Sequence, residues 1–272
     1  MIRPRILPGG WYPDTISEIK TNLDRWTKDV EEDTTCFAAI VPHAGWYYSG
    51  RIAAIPLKKT CGGKKIIVVI GGHLPPGSSI LAASESEIET PLGIIVNRLD
   101  CIKRLQEDIN IEEDIFSDNT VEVILPMIKY FSPGADAIWL RAPADEKAVE
   151  LGKILYELTV ELEVETAVIG STDLTHYGAN YGFEPQGRGV SGLNWMKNKN
   201  DAEVIDLLVN MSSKDAVDHA LANKSACSIG AAAAAVEFAS QNGVEKGLLT
   251  QYSTSYDVMP SDSFVGYAGI IY

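Results

Sequence analysis

Three of the four histidines in this chain, His43, His73 and His176, each come shortly after a run of apolar residues. The runs are Phe37 to Val41, Ile66 to Ile70 and Thr166 to Ile169. Continuous apolar runs of this length read as strands buried on both faces of a sheet. In open α/β sheets, ligand sites form outside the carboxyl ends of the strands. The three imidazoles are therefore expected to converge on one metal-binding pocket. Imidazole suits iron, copper, zinc and nickel. The blander alternative is that each ring only closes a strand end through hydrogen bonds.

Asp173 stands three positions before His176. A carboxylate there could bind a metal, orient an imidazole or act as a general base, or it could merely cap a turn. Cys227 precedes an alanine-rich stretch that reads as a helix. A helix N-terminus favours thiolate, a soft metal ligand, yet a cysteine is as often a small buried hydrophobe. Spacing alone does not separate these two readings. The fourth histidine, His219, sits in a polar helical stretch and reads as an ordinary surface or helix-face residue.

The elements that must hold these groups alternate along the chain. Thr15 and Glu18 have capping-box spacing, and Ile16, Ile19, Leu23, Trp26 and Val30 follow at helical intervals. Ser49 is a plausible cap for a helix after His43. A β excursion is expected over Ile80 to Ala83 and Ile94 to Val96, around Pro91-Leu92-Gly93. Asn97 is expected to cap a helix carrying Leu99, Ile102, Leu105 and Ile109. Another helix spans Val121 to Ile128, with Pro126 a strain on it. A strand at Ala137 to Leu140 and a helix from Asp145 to Leu162 precede the run at Thr166. Tyr177 to Asn200 reads as a long loop, of a kind often functional. Helices at Ala202 to Val209, Lys214 to Ala222 and Ser228 to Ser240 follow. The Ala231 to Ala235 run predicts tight packing on the sheet. Strands at Leu248 to Tyr252 and Phe264 to Tyr272 close the chain. The expected fold is a single α/β domain over residues 1–272, with a mainly parallel sheet and helices on both faces.

Composition excludes several function classes. The formal net charge of -14 repels phosphate backbones and anionic membranes, so no nucleic-acid partner is expected. The four cysteines are scattered and form no Cys-x-x-Cys pair, which fits reduced thiols rather than a disulfide framework. The first residues lack the apolar core of a secretory signal, and no run approaches a membrane span. A cytoplasmic location is expected. No dinucleotide, Walker A, nucleophile-elbow or His-Glu-x-x-His motif is present.

The assembled motifs resemble the Memo family, also called protein B of the AmmeMemoRadiSam system. The resemblance opens at Gly9-Gly10-Trp11-Tyr12-Pro13 and is strongest at Pro42-His43-Ala44-Gly45-Trp46-Tyr47-Tyr48-Ser49-Gly50. It continues through Gly71-Gly72-His73, Thr90-Pro91-Leu92-Gly93 and Ser171-Thr172-Asp173-Leu174-Thr175-His176-Tyr177-Gly178. Tyr252 to Ser255 and Val265 to Ala268 resemble the closing segment. The resemblance implies a fold similar to class III extradiol dioxygenases, which are non-haem iron enzymes. It also implies a metal site of His43, His73 and Cys227, with Asp173 and His176 lining the same pocket as catalytic residues. Two departures stand out. Asn119 replaces a histidine common in the family, which removes any proton transfer by it, and Gly71-Gly72 stand where Pro-Ser is usual.

Three functions follow as expectations. The first is a redox enzyme using iron(II), or copper, with oxygen or a small-molecule substrate; His176 would serve as acid or base. The second is a non-catalytic metal-binding or signalling module. The third is a metal-independent thiol hydrolase with Cys227 as nucleophile, His176 as base and Asp173 as orienter. The family name also implies a functional link to a radical-SAM protein.

Overall fold

The computed structural model describes residues 1–31 and 35–272. In chain order the strands are β1 (Ile2–Arg3), β2 (Ala38–Val41), β3 (Ile66–Leu74), β4 (Ile80–Ala82), β5 (Glu87–Thr90), β6 (Gly93–Val96), β7 (Ile111–Glu113), β8 (Asp136–Pro143), β9 (Thr166–Ser171), β10 (His176–Tyr177), β11 (Leu248–Thr254) and β12 (Phe264–Ile271). The helices are α1 (Ile16–Thr27), α2 (Trp46–Cys61), α3 (Leu99–Leu105), α4 (Asn119–Glu122), α5 (Leu125–Phe131), α6 (Glu146–Leu162), α7 (Val190–Trp195), α8 (Asp201–Val209), α9 (Ser213–Asn223), α10 (Ile229–Gln241) and α11 (Ser255–Val258).

The main sheet runs β10-β12-β2-β9-β3-β8-β4-β7, with β11 also paired to β12. Its centre, β2-β9-β3-β8, is parallel. Antiparallel pairings of β12 with β2, β10 and β11, and of β4 with β8, extend it on both sides. The sheet is therefore mixed around a parallel core. Ala38, Ile40, Val68, Ile70, Ile138, Leu140 and Val168 face one buried layer. Ala39, Val41, Ile67, Val69, Ala137, Trp139 and Ile169 face the other. Period-two alternation thus feeds two cores, which is why each run is apolar throughout. Full burial of one such side chain contributes roughly 1.5–3 kcal/mol.

The alanine run of α10 lies wholly inside the core. A Cβ at Gly170 would stand 2.5 Å from the Ala231 carbonyl oxygen, and one at Gly152 equally close to that of Ala234. Small residues on both sides let this helix seat directly against β9 and α6. The Thr15 hydroxyl caps α1 by accepting from the Glu18 N–H, and the Glu18 carboxylate returns to that hydroxyl.

Several local expectations are corrected. Helix α2 starts at Trp46, so Ser49 lies inside it and its hydroxyl donates to the Ala44 carbonyl. Asn97 does not cap α3; its amide donates to the Ala83 and Glu85 carbonyls and its oxygen accepts from the Trp139 N–H. Ile80–Ala82 joins the main sheet, while β5 and β6 form a hairpin beside β1. The helix expected over Val121 to Ile128 is two helices. Pro126 falls in the first turn of the second, where its missing N–H costs nothing. The Tyr177 to Asn200 segment is a loop only in part. It carries α7 and a π turn at Met196–Asn200, with Leu193 and Met196 buried beside Tyr177 and Phe264. No helix among the described residues is long and apolar enough to cross a membrane.

Candidate metal centre

Strands β2, β9 and β3 are neighbours, and their carboxyl ends deliver the site. His43 stands two residues beyond β2, Asp173 two beyond β9, and His73 at the end of β3. Cys227 comes from the opposite direction, on the loop entering α10. Its N–H donates to the Asp173 carbonyl (3.2 Å), and the Ser228 N–H donates to Thr172 Oγ1 (3.1 Å). The cysteine loop is thereby held along the segment that follows β9.

Cys227 Sγ lies 3.3 Å from His43 Nε2. The His43 and His73 rings meet edge to face, centroids 5.0 Å apart. One ligand atom from each of His43, His73 and Cys227 falls within 4.8 Å of the other two. The remaining ring nitrogens have their own partners: His43 Nδ1 is 3.0 Å from Ser171 Oγ, and His73 Nδ1 is 3.0 Å from Asp118 Oδ2. The His43 backbone N–H donates to Asp173 Oδ1 at 2.8 Å.

Burial opposes charge on Cys227, but His43 and His73 outweigh it and hold the thiol well below its ordinary value. Burial likewise disfavours His73 as a cation, yet Asp118 and Cys227 push it up to about 10. His43 is raised against burial by Cys227 and Asp173. Burial pushes the Asp173 carboxyl up. The mutual shifts therefore favour a thiolate beside two protonated rings. That is the donor chemistry that suits a transition metal, with the ion taking the place of the protons.

A cavity of about 500 Å³ opens over these groups. Its walls include Trp11, Tyr48, Tyr181 and Tyr267, together with Asp173, His176 and Asn119, and no lysine or arginine among the described residues lines it. The His176 Nδ1 donates to the Leu174 carbonyl (3.1 Å). Asn119 donates to the His43 carbonyl at 3.0 Å, so the residue in the histidine's place fixes the first ligand's backbone.

The structure thus brings together His43, His73, Cys227, Asp173 and His176. His176 lines the cavity but is not among the three convergent ligands. The thiol pairs with His43 rather than with His176, as a thiol hydrolase of the expected kind would require. His219 is not an ordinary surface residue: its ring bridges Ser225 Oγ (2.8 Å) and Glu203 Oε2 (3.1 Å). Ser171, Asp118 and Ser228 also contact the ligands, and sequence reasoning missed them. Their contacts with His43 and His73 span 45 to 155 positions, a distance that no local spacing encodes.

The Memo-like protein family model matches residues 3–271. A MEMO1 family protein of Pyrococcus furiosus is 31% identical, covering 100% of this chain and 99% of that protein. One from Thermococcus onnurineus is 28% identical over the same shares. The crystal structure of an uncharacterized Escherichia coli K12 protein is similar over 85% of this chain and 98% of that one, with 14% identity and a TM-score of 0.48.

Proposed function

The chain belongs to the Memo-like family, and we propose that it is a metal-dependent redox protein whose ion is held by His43, His73 and Cys227. Iron(II) is the first choice and copper the second. The observation that carries this reading is the convergence of three ligand atoms from β2, β3 and the α10 loop within 4.8 Å. Two imidazoles and a thiolate fit either ion. A bound ion of this kind supplies electron-transfer chemistry and a Lewis-acid centre.

The chain's own residues supply the rest. The aromatic walls accept a small, flat substrate, and the cavity volume is within the range of small-molecule sites, roughly 300–1,000 Å³. His176, with its proton held at Nδ1 by the Leu174 carbonyl, takes a proton at Nε2 from a substrate hydroxyl. Asp173, buried and bonded to the His43 N–H, holds that ligand's backbone in register with the cysteine loop. Asn119 moves no proton.

A second reading, metal handling without turnover, is favoured by the thiolate, which suits copper(I). Purification without a metal-binding tag under anaerobic conditions, followed by elemental analysis, tests the proposal. Near-stoichiometric iron or copper, lost in His43→Ala and Cys227→Ala, is expected. A folded protein that takes up neither iron(II) nor copper(I) would refute it. Oxygen consumption on substrate addition separates the enzyme from the metal carrier.

A further inference from the structure

A line of buried charges leads from the N-terminal strand to His73. Arg3 Nη1 donates to the Asp114 carbonyl (2.8 Å), and its guanidinium lies 4.4 Å from the centroid of the Trp139 ring. Asp114 accepts from Trp139 Nε1 (3.0 Å) and from Arg141 Nη1 (3.2 Å). Arg141 then does two things. Its Nε and Nη2 both donate to the Gly72 carbonyl, at 3.0 and 2.8 Å, and Nη2 reaches Asp118 Oδ2 at 3.3 Å. The same Asp118 oxygen receives His73 Nδ1. Its other oxygen accepts the Thr120 N–H at 2.8 Å.

This arrangement bears on a strained residue. His73 has φ 57°, in the left-handed region that costs a side chain with a Cβ. Such a conformation persists only where the surroundings over-determine it. Here Arg141 clamps the peptide carbonyl before it, Ser228 Oγ accepts its N–H at 3.2 Å, and Asp118 takes its ring. An ionised carboxylate accepts only. Nδ1 must therefore carry the hydrogen, and Nε2 is the nitrogen left for the ligand set.

The geometry points to Asp118 and Arg141 as positioning residues of the centre. They fix the tautomer and ring orientation of His73, and they hold its backbone in the left-handed turn. Neither lines the cavity, and neither belongs to the three ligands. The inference rests on the metal reading of His73.

Two readouts test it on the full chain. The first is zinc affinity, by competition with a chromophoric chelator. Asp118→Ala is expected to weaken it about 10–100-fold, the usual effect of losing a carboxylate behind a ligating histidine. Arg141→Gln is expected to weaken it in the same direction, and Asp118→Glu to recover part of the loss. The second is the His73 Nδ1–H resonance of the zinc-free protein in ¹H–¹⁵N spectra. It should be protected from exchange in the wild type and vanish in Asp118→Ala. Should that variant fail to fold, Asp118→Asn carries the same test with a smaller loss. Zinc affinity within twofold of wild type in Asp118→Ala, or a persisting Nδ1–H resonance, would overturn the inference. A wild type that binds no zinc but shows the Asp118-dependent resonance would fail the metal reading while leaving the Asp118–His73 hold in place.

Discussion

Cys227 Sγ and His43 Nε2 lie 3.3 Å apart although 184 positions separate them. One comes from the end of a central strand and the other from the loop that enters the alanine-rich helix. Their meeting depends on how closely that helix and its loop approach the sheet. The small residues of Gly72, Gly152, Gly170 and the α10 alanines set that approach.

Gly72 is the position among these that meets the cysteine loop itself. A Cβ there would stand 2.4 Å from Ser228 Cβ and 2.8 Å from Ser228 Cα. Part of that clash is with backbone, so a rotamer change does not relieve it. Gly72→Ala is expected to destabilise the fold by about 1–3 kcal/mol, as overpacking does, and to push Cys227 away from His73. Urea unfolding and metal uptake check both effects. A variant as stable as wild type with full metal uptake would show that the cysteine loop yields to the added methyl group.

Asp201 gives a pH signature distinct from the metal ligands. It is buried and accepts from the Thr175 N–H (3.1 Å) and the Tyr252 hydroxyl (2.7 Å). Burial pushes its carboxyl up to about 7 despite those hydrogen bonds. Between the ordinary carboxylate range and pH 7, the folded protein keeps a proton that the unfolded chain releases. Its contribution is therefore complete below about pH 4 and is lost as pH rises through 7. Asp201→Asn should flatten that part of the stability profile and exceed wild type at pH 8 by on the order of 1 kcal/mol or more. Melting curves from pH 5 to 8 measure it. An unchanged slope in the variant would assign the dependence to other groups.

His219 ties α8 and α9 to the cysteine loop through Glu203 and Ser225. Ser225 is fully buried, so His219→Ala strands its hydroxyl. A loss of roughly 1–3 kcal/mol is expected from that unsatisfied group, with metal stoichiometry retained. Chemical denaturation beside elemental analysis decides it. Stability unchanged by the substitution would mean that Ser225 finds another partner.

Much of this architecture was readable from residue order. The runs ending before His43 and His73 and at Gly170 named the central strands, because strands buried on both faces leave no polar alternation to confuse them. The alanine run announced its own tight packing. Other features depend on contacts that local spacing does not encode. Asn97 has the residue type of a cap, but its amide is taken by carbonyls fourteen and twelve positions away. Val190–Trp195 is hidden by a glycine- and asparagine-rich neighbourhood, and tertiary burial of Leu193 overrides that weak propensity. At the centre, His43 and His73 followed from their place after strands. Cys227 needed the family resemblance, since its spacing fits a buried hydrophobe equally well. Asp118 was not readable at all, because its bond to His73 crosses 45 positions.

The most direct test of the metal centre is anomalous diffraction from crystals of the full chain soaked in iron(II) or copper(I) under anaerobic conditions. One strong peak is expected within bonding distance, roughly 2.0–2.3 Å, of His43 Nε2, His73 Nε2 and Cys227 Sγ, and none in Cys227→Ala crystals. A peak held by other residues, or an empty site in well-folded wild-type crystals, would contradict it.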